Sequence, residues 1–105
     1  MIKTLFTIGL YDKDTETQII KAGDAKKIIA NTLLNQYNIF AFTMMDAEGV
    51  YKMGSTGNII FEPSIRVEIA SDADIPAAQI CETLKELLNQ ETIMTEREEV
   101  NISFI

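Results

Sequence analysis

The sequence predicts an α+β domain whose elements follow the order strand, helix, strand, strand, helix, strand. Two observations support this prediction. Apolar residues alternate along residues 2–11 and 58–70, which is the pattern of strands in a sheet that is covered on one face. Apolar residues recur at helical spacing along two other stretches. Ferredoxin-like domains have the same order, with two helices on one face of a four-stranded antiparallel sheet whose first and third strands are central.

The composition limits the functions that this chain can perform. Its 105 residues fit one domain, residues 1–105, with a formal net charge of -7. That charge repels phosphates, so we expect no direct binding to nucleic acid and no membrane binding. The chain has no histidine and one cysteine, so we expect no metal and no cofactor. No stretch fits a signal peptide or a spanning helix, and the single cysteine suits a reducing compartment, so we expect a cytoplasmic protein.

The first predicted strand leads into a polar stretch at residues 12–17. The spacing of Asp12, Asp14 and Glu16 resembles a site for a hard cation, but the glycine and the bidentate glutamate of a calcium loop are missing. We therefore interpret the stretch as a solvated loop. The strand itself is predicted to place Phe6, Ile8 and Leu10 on its covered side, and Leu5, Thr7 and Tyr11 on its open side.

Two helices are predicted to cover the sheet. The first should begin near Asp24, whose side chain can cap free amides, and should stop near Tyr37. The second should contain Pro76 in its first turn and Cys81 beside its apolar stripe, as a buried thiol. The stripes consist of Ala25, Ile28, Ile29, Thr32 and Leu33 in the first helix, and of Ala77, Ile80, Leu84, Leu87 and Leu88 in the second.

A long hairpin lies between the helices. Residues 39–53 and 58–70 are predicted to be its strands, joined by a turn at residues 54–57, with Phe40, Phe42, Ile65 and Val67 on the covered face. After the second helix, residues 96–99 are interpreted as a charged loop. Residues 100–105 are predicted to form the last strand, with Val100, Ile102 and Phe104 facing inward.

The hairpin also carries the densest group of side chains that could act chemically. One of its carboxylates could serve as an acid or base, while Tyr51 and Arg66 position an anion. In the structural alternative, Arg66 and Glu68 are cross-strand partners. Glu62 and Ser64 then only close a bulge at Pro63. An enzyme of this kind should bury at least one carboxylate in a cleft. The candidate residues are Asp46, Glu48, Tyr51, Glu62 and Arg66.

The open face of the predicted sheet is rich in apolar side chains. Apolar patches of this size usually mark an interface. We therefore predict a homodimer, or a protein partner bound at this face. The predicted interface residues are Leu5, Tyr11, Ile39, Thr43, Met45 and Ile105.

Several short motifs occur in a fixed order along the chain: residues 5–12 (LFTIGLYD), 46–51 (DAEGVY), 57–64 (GNIIFEPS), 90–94 (QETIM) and 100–104 (VNISF). With these motifs the chain resembles an uncharacterised family of small bacterial domains, many of which carry secretion or lipoprotein signals. The chain lacks such a signal, so the resemblance implies a signal-free bacterial form. It implies no catalytic residues.

These observations favour a small non-enzymatic interaction or binding module that dimerises or docks through its open sheet face. The alternative is a small acid–base enzyme or ligand-binding protein that uses the carboxylates of residues 46–68. A minor alternative is an acidic inhibitor of a nucleic-acid-binding enzyme, because the carboxylates could face a basic partner.

Overall fold

A computed structural model describes residues 1–105, and its centre is one antiparallel sheet. The strands are β1 (Ile2–Gly9), β2 (Thr43–Lys52), β3 (Ile59–Ser71) and β4 (Met94–Glu99). Their order across the sheet is β2-β3-β1-β4, so the first and third strands are central. The predicted ferredoxin-like α+β fold is confirmed.

Two helices cover one face of this sheet. The first, α1 (Ala22–Asn31), continues into a π-helical turn at Thr32–Gln36, and the second is α2 (Ala77–Leu87). Pro76 directly precedes α2, as predicted. Asp24 does not cap α1, because it lies inside the first turn, where its charge still complements the helix dipole.

The core lies between the helices and the sheet. Twelve buried residues form it: Phe6, Ile8, Leu10, Ala25, Ile29, Leu33, Ile65, Val67, Ile69, Ile80, Leu84 and Leu88. Both helical stripes were therefore assigned correctly, with one exception. Leu87, the last residue of α2, is 50% exposed.

The prediction that the second strand begins at residue 39 is wrong. Asn38 has a positive φ of 54°, which ends the helical segment, and the N–H of Ile39 then donates to the carbonyl of Leu33 at 2.9 Å. Ile39 consequently packs against the core and not on the open face, while Phe40 is 75% exposed. Regular pairing with β3 starts only at Thr43.

The prediction for the C-terminal residues is also wrong. The charged segment that we interpreted as a loop is the edge strand β4, paired with β1 from Ile2↔Glu99 to Thr7↔Met94. Charged side chains suit an edge strand, because they discourage pairing with another chain. The N–H of Val100 donates to Met1 O at 2.9 Å, and no strand follows. Phe104 is 85% exposed instead of facing inward.

The distal part of the β2–β3 hairpin extends past the helices. The molecule measures 47 × 26 × 23 Å, and this projecting hairpin carries Val50, Ile59 and Phe61 with more than half of each side chain exposed. No helix in the structure is long and apolar enough to cross a membrane.

We predict that Ile65→Ala and Phe104→Ala have very different effects on stability. Ile65 is fully buried in the core, so its truncation should lower the free energy of unfolding by about 2–5 kcal/mol. Phe104 is largely exposed, so its truncation should change that free energy by less than about 0.5 kcal/mol. Urea denaturation of both variants would measure the difference. Equal losses would contradict the exposed position of Phe104.

Candidate functional site

The candidate site is a cleft on the open face of the sheet, at the end where β1 runs into its loop and the hairpin projects. Its volume is about 670 Å³. The register aligns Gly9 with Ser64 and Gly49 with Glu62, so these residues share the open face. Strands β1, β2 and β3 therefore form the floor and one side of the cleft.

The Glu62 carboxylate is the most constrained charged group in this cleft. It is partly buried, and its Oε2 accepts a hydrogen bond from the backbone N–H of Tyr11 at 2.9 Å. It lies directly over Gly9, where a Cβ atom would come within 2.6 Å of Glu62 Cδ. A side chain at this position would force the Glu62 carboxylate to move away. A glycine inside a strand, such as Gly9, is a sequence signal for such a close approach.

Two tyrosines flank this carboxylate. Tyr51 lies on β2 two residues after Gly49, on the same face of the sheet as Gly49 and opposite Ile60. Burial raises the pKa of the Tyr51 phenol, and the negative charge of Glu62 adds to that rise. The hydroxyl of Tyr11 donates to Phe61 O at 2.9 Å, which fixes its ring against the hairpin.

The structure brings together only Tyr51 and Glu62 of the five predicted candidates. Asp46 and Glu48 lie on the opposite face of β2, because successive strand residues alternate. Asp46 Oδ1 forms an ion pair with Lys26 Nζ at a distance of 2.9 Å. Arg66 lies on the open face opposite Thr7 and Met45, outside the residues that line the cleft.

The structural alternative holds only in part for the neighbouring polar residues. The predicted bulge at Pro63 is absent, because the β2–β3 register runs through Glu48↔Pro63 without interruption. Glu68 is a cross-strand partner, but of Lys3, with Nζ and Oε1 3.4 Å apart. Ser64 Oγ donates to Glu62 O at 3.1 Å across Pro63. These contacts support the strand that presents Glu62. They do not occupy the Glu62 carboxylate itself.

The far side of the cleft is formed by the loop that we predicted to be solvated. Asp12 Oδ1 accepts a hydrogen bond from Asn89 Nδ2 at 2.7 Å, and Asp12 Oδ2 accepts from the backbone N–H groups of Asp14 and Thr15. The bond from Asn89, followed by the backbone bonds, holds the pKa of Asp12 below its ordinary value. The loop is thus tied to the end of α2, and both segments line the cleft.

The cleft is strongly anionic. Four carboxylates and one ammonium group line it, which gives a formal charge of −3. Such a charge attracts cations and repels phosphates. The residues concerned are Asp12, Glu16, Glu62 and Glu91, with Lys13 as the ammonium.

The floor of the cleft contains one unsatisfied polar atom. Thr7 Oγ1 is buried and has no hydrogen-bond partner. Its neighbours across the sheet are Arg66 on β3 and Met94 on β4. A buried hydroxyl without a partner costs about 1–3 kcal/mol, and such costs concentrate at functional sites.

The predicted interface residues are distributed over several environments. Thr43 and Met45 are exposed on the open face, and Ile105 lies in the exposed C-terminal segment. Leu5 is only 9% exposed within the single chain. Tyr11 lines the cleft, and Ile39 belongs to the core side.

Comparison with solved structures agrees with the fold. No protein-family model and no curated protein matches the sequence. A phage SAM lyase in complex with S-methyl-5'-thioadenosine superposes with a TM-score of 0.67 at 18% identity, covering 93% of this chain and 80% of that one. CutA1 from Pyrococcus horikoshii gives a TM-score of 0.62 at 16% identity, over 99% of this chain and 87% of that one. GlnK of B. subtilis with ATP gives 0.56 at 14%, over 92% and 80%.

These identities show a shared fold and nothing more specific. The resemblance to an uncharacterised bacterial family stays a prediction, since no family model matches.

We predict that Glu62→Gln lowers the pKa of Tyr51. The Glu62 charge disfavours the phenolate, so its removal should bring the pKa down toward the ordinary value of 10.0. The pKa should stay above that value, because burial is the larger cause and remains. Ultraviolet difference titration, with Tyr51→Phe to assign the signal, would measure the shift. Asp46→Asn is the matched control, and an equal shift there would contradict this geometry.

Proposed function

We propose that the cleft binds a small organic cation of the S-adenosylmethionine (SAM) class and supports cleavage of its sulfonium carbon–sulfur bond. One observation carries this proposal. The carboxylate of Glu62 is partly buried beside Tyr51, and the Tyr11 N–H holds it at 2.9 Å. A fixed carboxylate next to an aromatic ring is a suitable binding site for an organic cation.

The charge and size of the cleft support the same ligand class. A formal charge of −3 favours a ligand that carries positive charge, and SAM has a sulfonium and an ammonium group. The volume of about 670 Å³ lies in the range of sites for small organic ligands. Ile60, Met53 and Met94 add apolar surface for uncharged parts of the ligand.

The structural neighbour with the TM-score of 0.67 supports the reaction class. Its name combines this fold with a lyase that acts on SAM, and its ligand, S-methyl-5'-thioadenosine, is the part of SAM that remains after the amino-acid portion leaves. By itself, this structural neighbour supports only the shared fold. The ligand class comes to this chain only together with the anionic cleft.

The proposed reaction needs no second reactant. A carboxylate oxygen of the substrate attacks its own Cγ, and the Cγ–S bond breaks with its electron pair moving to sulfur. The products are S-methyl-5'-thioadenosine and a five-membered lactone, so atoms and charges balance. The protein's part is to hold the substrate in the bent conformation that this attack requires. Glu62 binds the ligand's ammonium group, and the ring of Tyr51 packs against the sulfonium.

We predict that Glu62→Gln weakens binding of SAM by about 10- to 100-fold, because the lost charge–charge contact is worth about 1.5–3 kcal/mol. Binding of neutral S-methyl-5'-thioadenosine should weaken much less, since that ligand lacks both positive charges. Calorimetry would measure the affinities, and mass spectrometry would measure release of the thioether from SAM. Glu62→Gln should slow that release.

Asp46→Asn removes a carboxylate from the same hairpin on the opposite face and serves as the control. It should leave binding and turnover unchanged. If the wild-type chain neither binds SAM at millimolar concentration nor releases the thioether, the proposed function is wrong. Equal effects of Glu62→Gln and Asp46→Asn would also contradict it.

A second proposal concerns self-association. The outer edge of β2 (Thr43–Lys52) is unpaired over ten residues and, unlike β4, is not dominated by charge. Exposed apolar side chains lie beside it at Met45, Val50 and Phe61. A long edge that is not dominated by charge and has apolar neighbours favours pairing with another chain. We therefore infer that a second copy of the chain packs along this edge, whereas the homodimer predicted from the sequence uses the open sheet face.

We predict that the wild-type chain sediments at micromolar concentration with a mass above the 11.8 kDa of a monomer. The double variant Met45→Glu, Phe61→Glu should shift it to the monomer, because it places buried charges in the contact. Phe104→Glu in the exposed tail is the control and should keep the wild-type mass. A purely monomeric wild-type chain would overturn this proposal.

A further inference from the structure

Gln90 is a buried polar residue that lines the cleft. It lies just after α2 and is 8% exposed. It lines both the main cleft and a shallower polar groove beside it, which also contains Lys85 and Glu86. A glutamine this buried needs partners for its amide, and those partners determine which way it points.

The nitrogen of this amide is fixed by two backbone carbonyls. Gln90 Nε2 donates to Tyr11 O at 2.8 Å and to Leu88 O at 3.3 Å. Both partners are acceptors, so the reverse orientation of the amide would place two oxygens against the Gln90 oxygen. The positions of nitrogen and oxygen are therefore determined by the hydrogen bonds.

The oxygen of the same amide is free. Gln90 Oε1 accepts no hydrogen bond from the chain, and it is not one of the buried atoms that lack a partner, since Thr7 Oγ1 is the only such atom. The oxygen is therefore reachable from outside in a residue whose remaining surface is covered. Gln90 lines both the main cleft and the adjoining polar groove, so the accessible space beside this oxygen belongs to these two connected openings. The wall thus presents one fixed hydrogen-bond acceptor.

We propose that Gln90 is a specificity-determining residue whose Oε1 accepts a hydrogen bond from an N–H or O–H group of the bound nucleoside. This inference rests on the proposed function. In an adenosine ligand the donor is the exocyclic amine of the base or the 2'-hydroxyl of the ribose. A ligand with an acceptor at that position would place its own oxygen or nitrogen lone pair against Gln90 Oε1 with no hydrogen between them. The site would therefore reject that ligand.

The surroundings favour a donor on the ligand. Tyr11 O and Leu88 O occupy both N–H groups of the amide, so Gln90 offers the ligand no donor. The neighbouring cleft residue Glu91 is an acceptor when it is ionised. This part of the wall therefore selects for donors in two ways, by a fixed amide oxygen and by a negative charge.

Neutral nucleosides test this inference without the charge effect of Glu62. We would measure binding of S-methyl-5'-thioadenosine, its deaminated inosine analogue and its 2'-deoxy analogue by calorimetry. The wild-type chain should bind the analogue that lacks the contacted donor about tenfold or more weakly. Gln90→Met has a similar shape and no amide acceptor. This variant should bind S-methyl-5'-thioadenosine and the analogue that lacks the contacted donor with about equal affinity. Circular dichroism would check that the variant is folded.

A merely structural role for Gln90 would give a different result. Gln90→Met would then weaken all three ligands by the same factor, and the unchanged ratio would overturn the inference. Equal binding of all three ligands by the wild-type chain would also overturn it, even if the variant does not fold. If the wild-type chain binds none of the three ligands and does not bind SAM, the proposed function itself fails.

Discussion

The geometry of the cleft depends on the hydrogen bonds of one residue, Tyr11. Its N–H donates to the Glu62 carboxylate, its carbonyl accepts from Gln90, and its hydroxyl donates to Phe61 O. These three bonds join the end of β1 to the hairpin and to the segment after α2. They span 50 to 79 residues of sequence, so the site forms only when the whole domain is folded.

The hairpin has two roles that strand alternation keeps apart. Its inward residues Ile65 and Val67 are fully buried and belong to the core, whereas Glu62 and Tyr51 lie on the open face. A shift of the register by one residue would exchange the two sets. The core packing of β3 therefore also determines which face carries the carboxylate. Gly9 then allows the carboxylate to lie on β1 at the one position without a side chain.

The sequence was sufficient for the architecture because alternation and helical spacing report burial directly. Ile65 and Leu84 were assigned to the core from these patterns, and both are fully buried. The structural predictions from the sequence are wrong in segments where few side chains are buried. A single left-handed residue, Asn38, moved Ile39 to the core side, and the edge position of β4 made a charged segment a strand. Neither effect is visible in local periodicity.

The candidate site was predictable only in part, for a similar reason. The sequence could nominate Tyr51 and Glu62, and strict alternation could have removed Asp46 and Glu48 from the list. The contributions of Asn89 and Gln90 come from contacts 75 or more residues apart, which no local pattern contains. These residues convert an acidic loop into one wall of a cleft.

The charge of the cleft also restricts how Glu62 can act on the proposed substrate. Cleavage of a sulfonium removes its positive charge, so the attraction between sulfur and a nearby carboxylate weakens as the bond breaks. A carboxylate placed against sulfur would stabilise the bound substrate more than the transition state and would slow the reaction. The ammonium group keeps its charge throughout, so a carboxylate bound there orients the substrate at no cost to the chemical step. The aromatic ring of Tyr51 attracts a sulfonium more weakly than a carboxylate does, so it is the better neighbour for the sulfur.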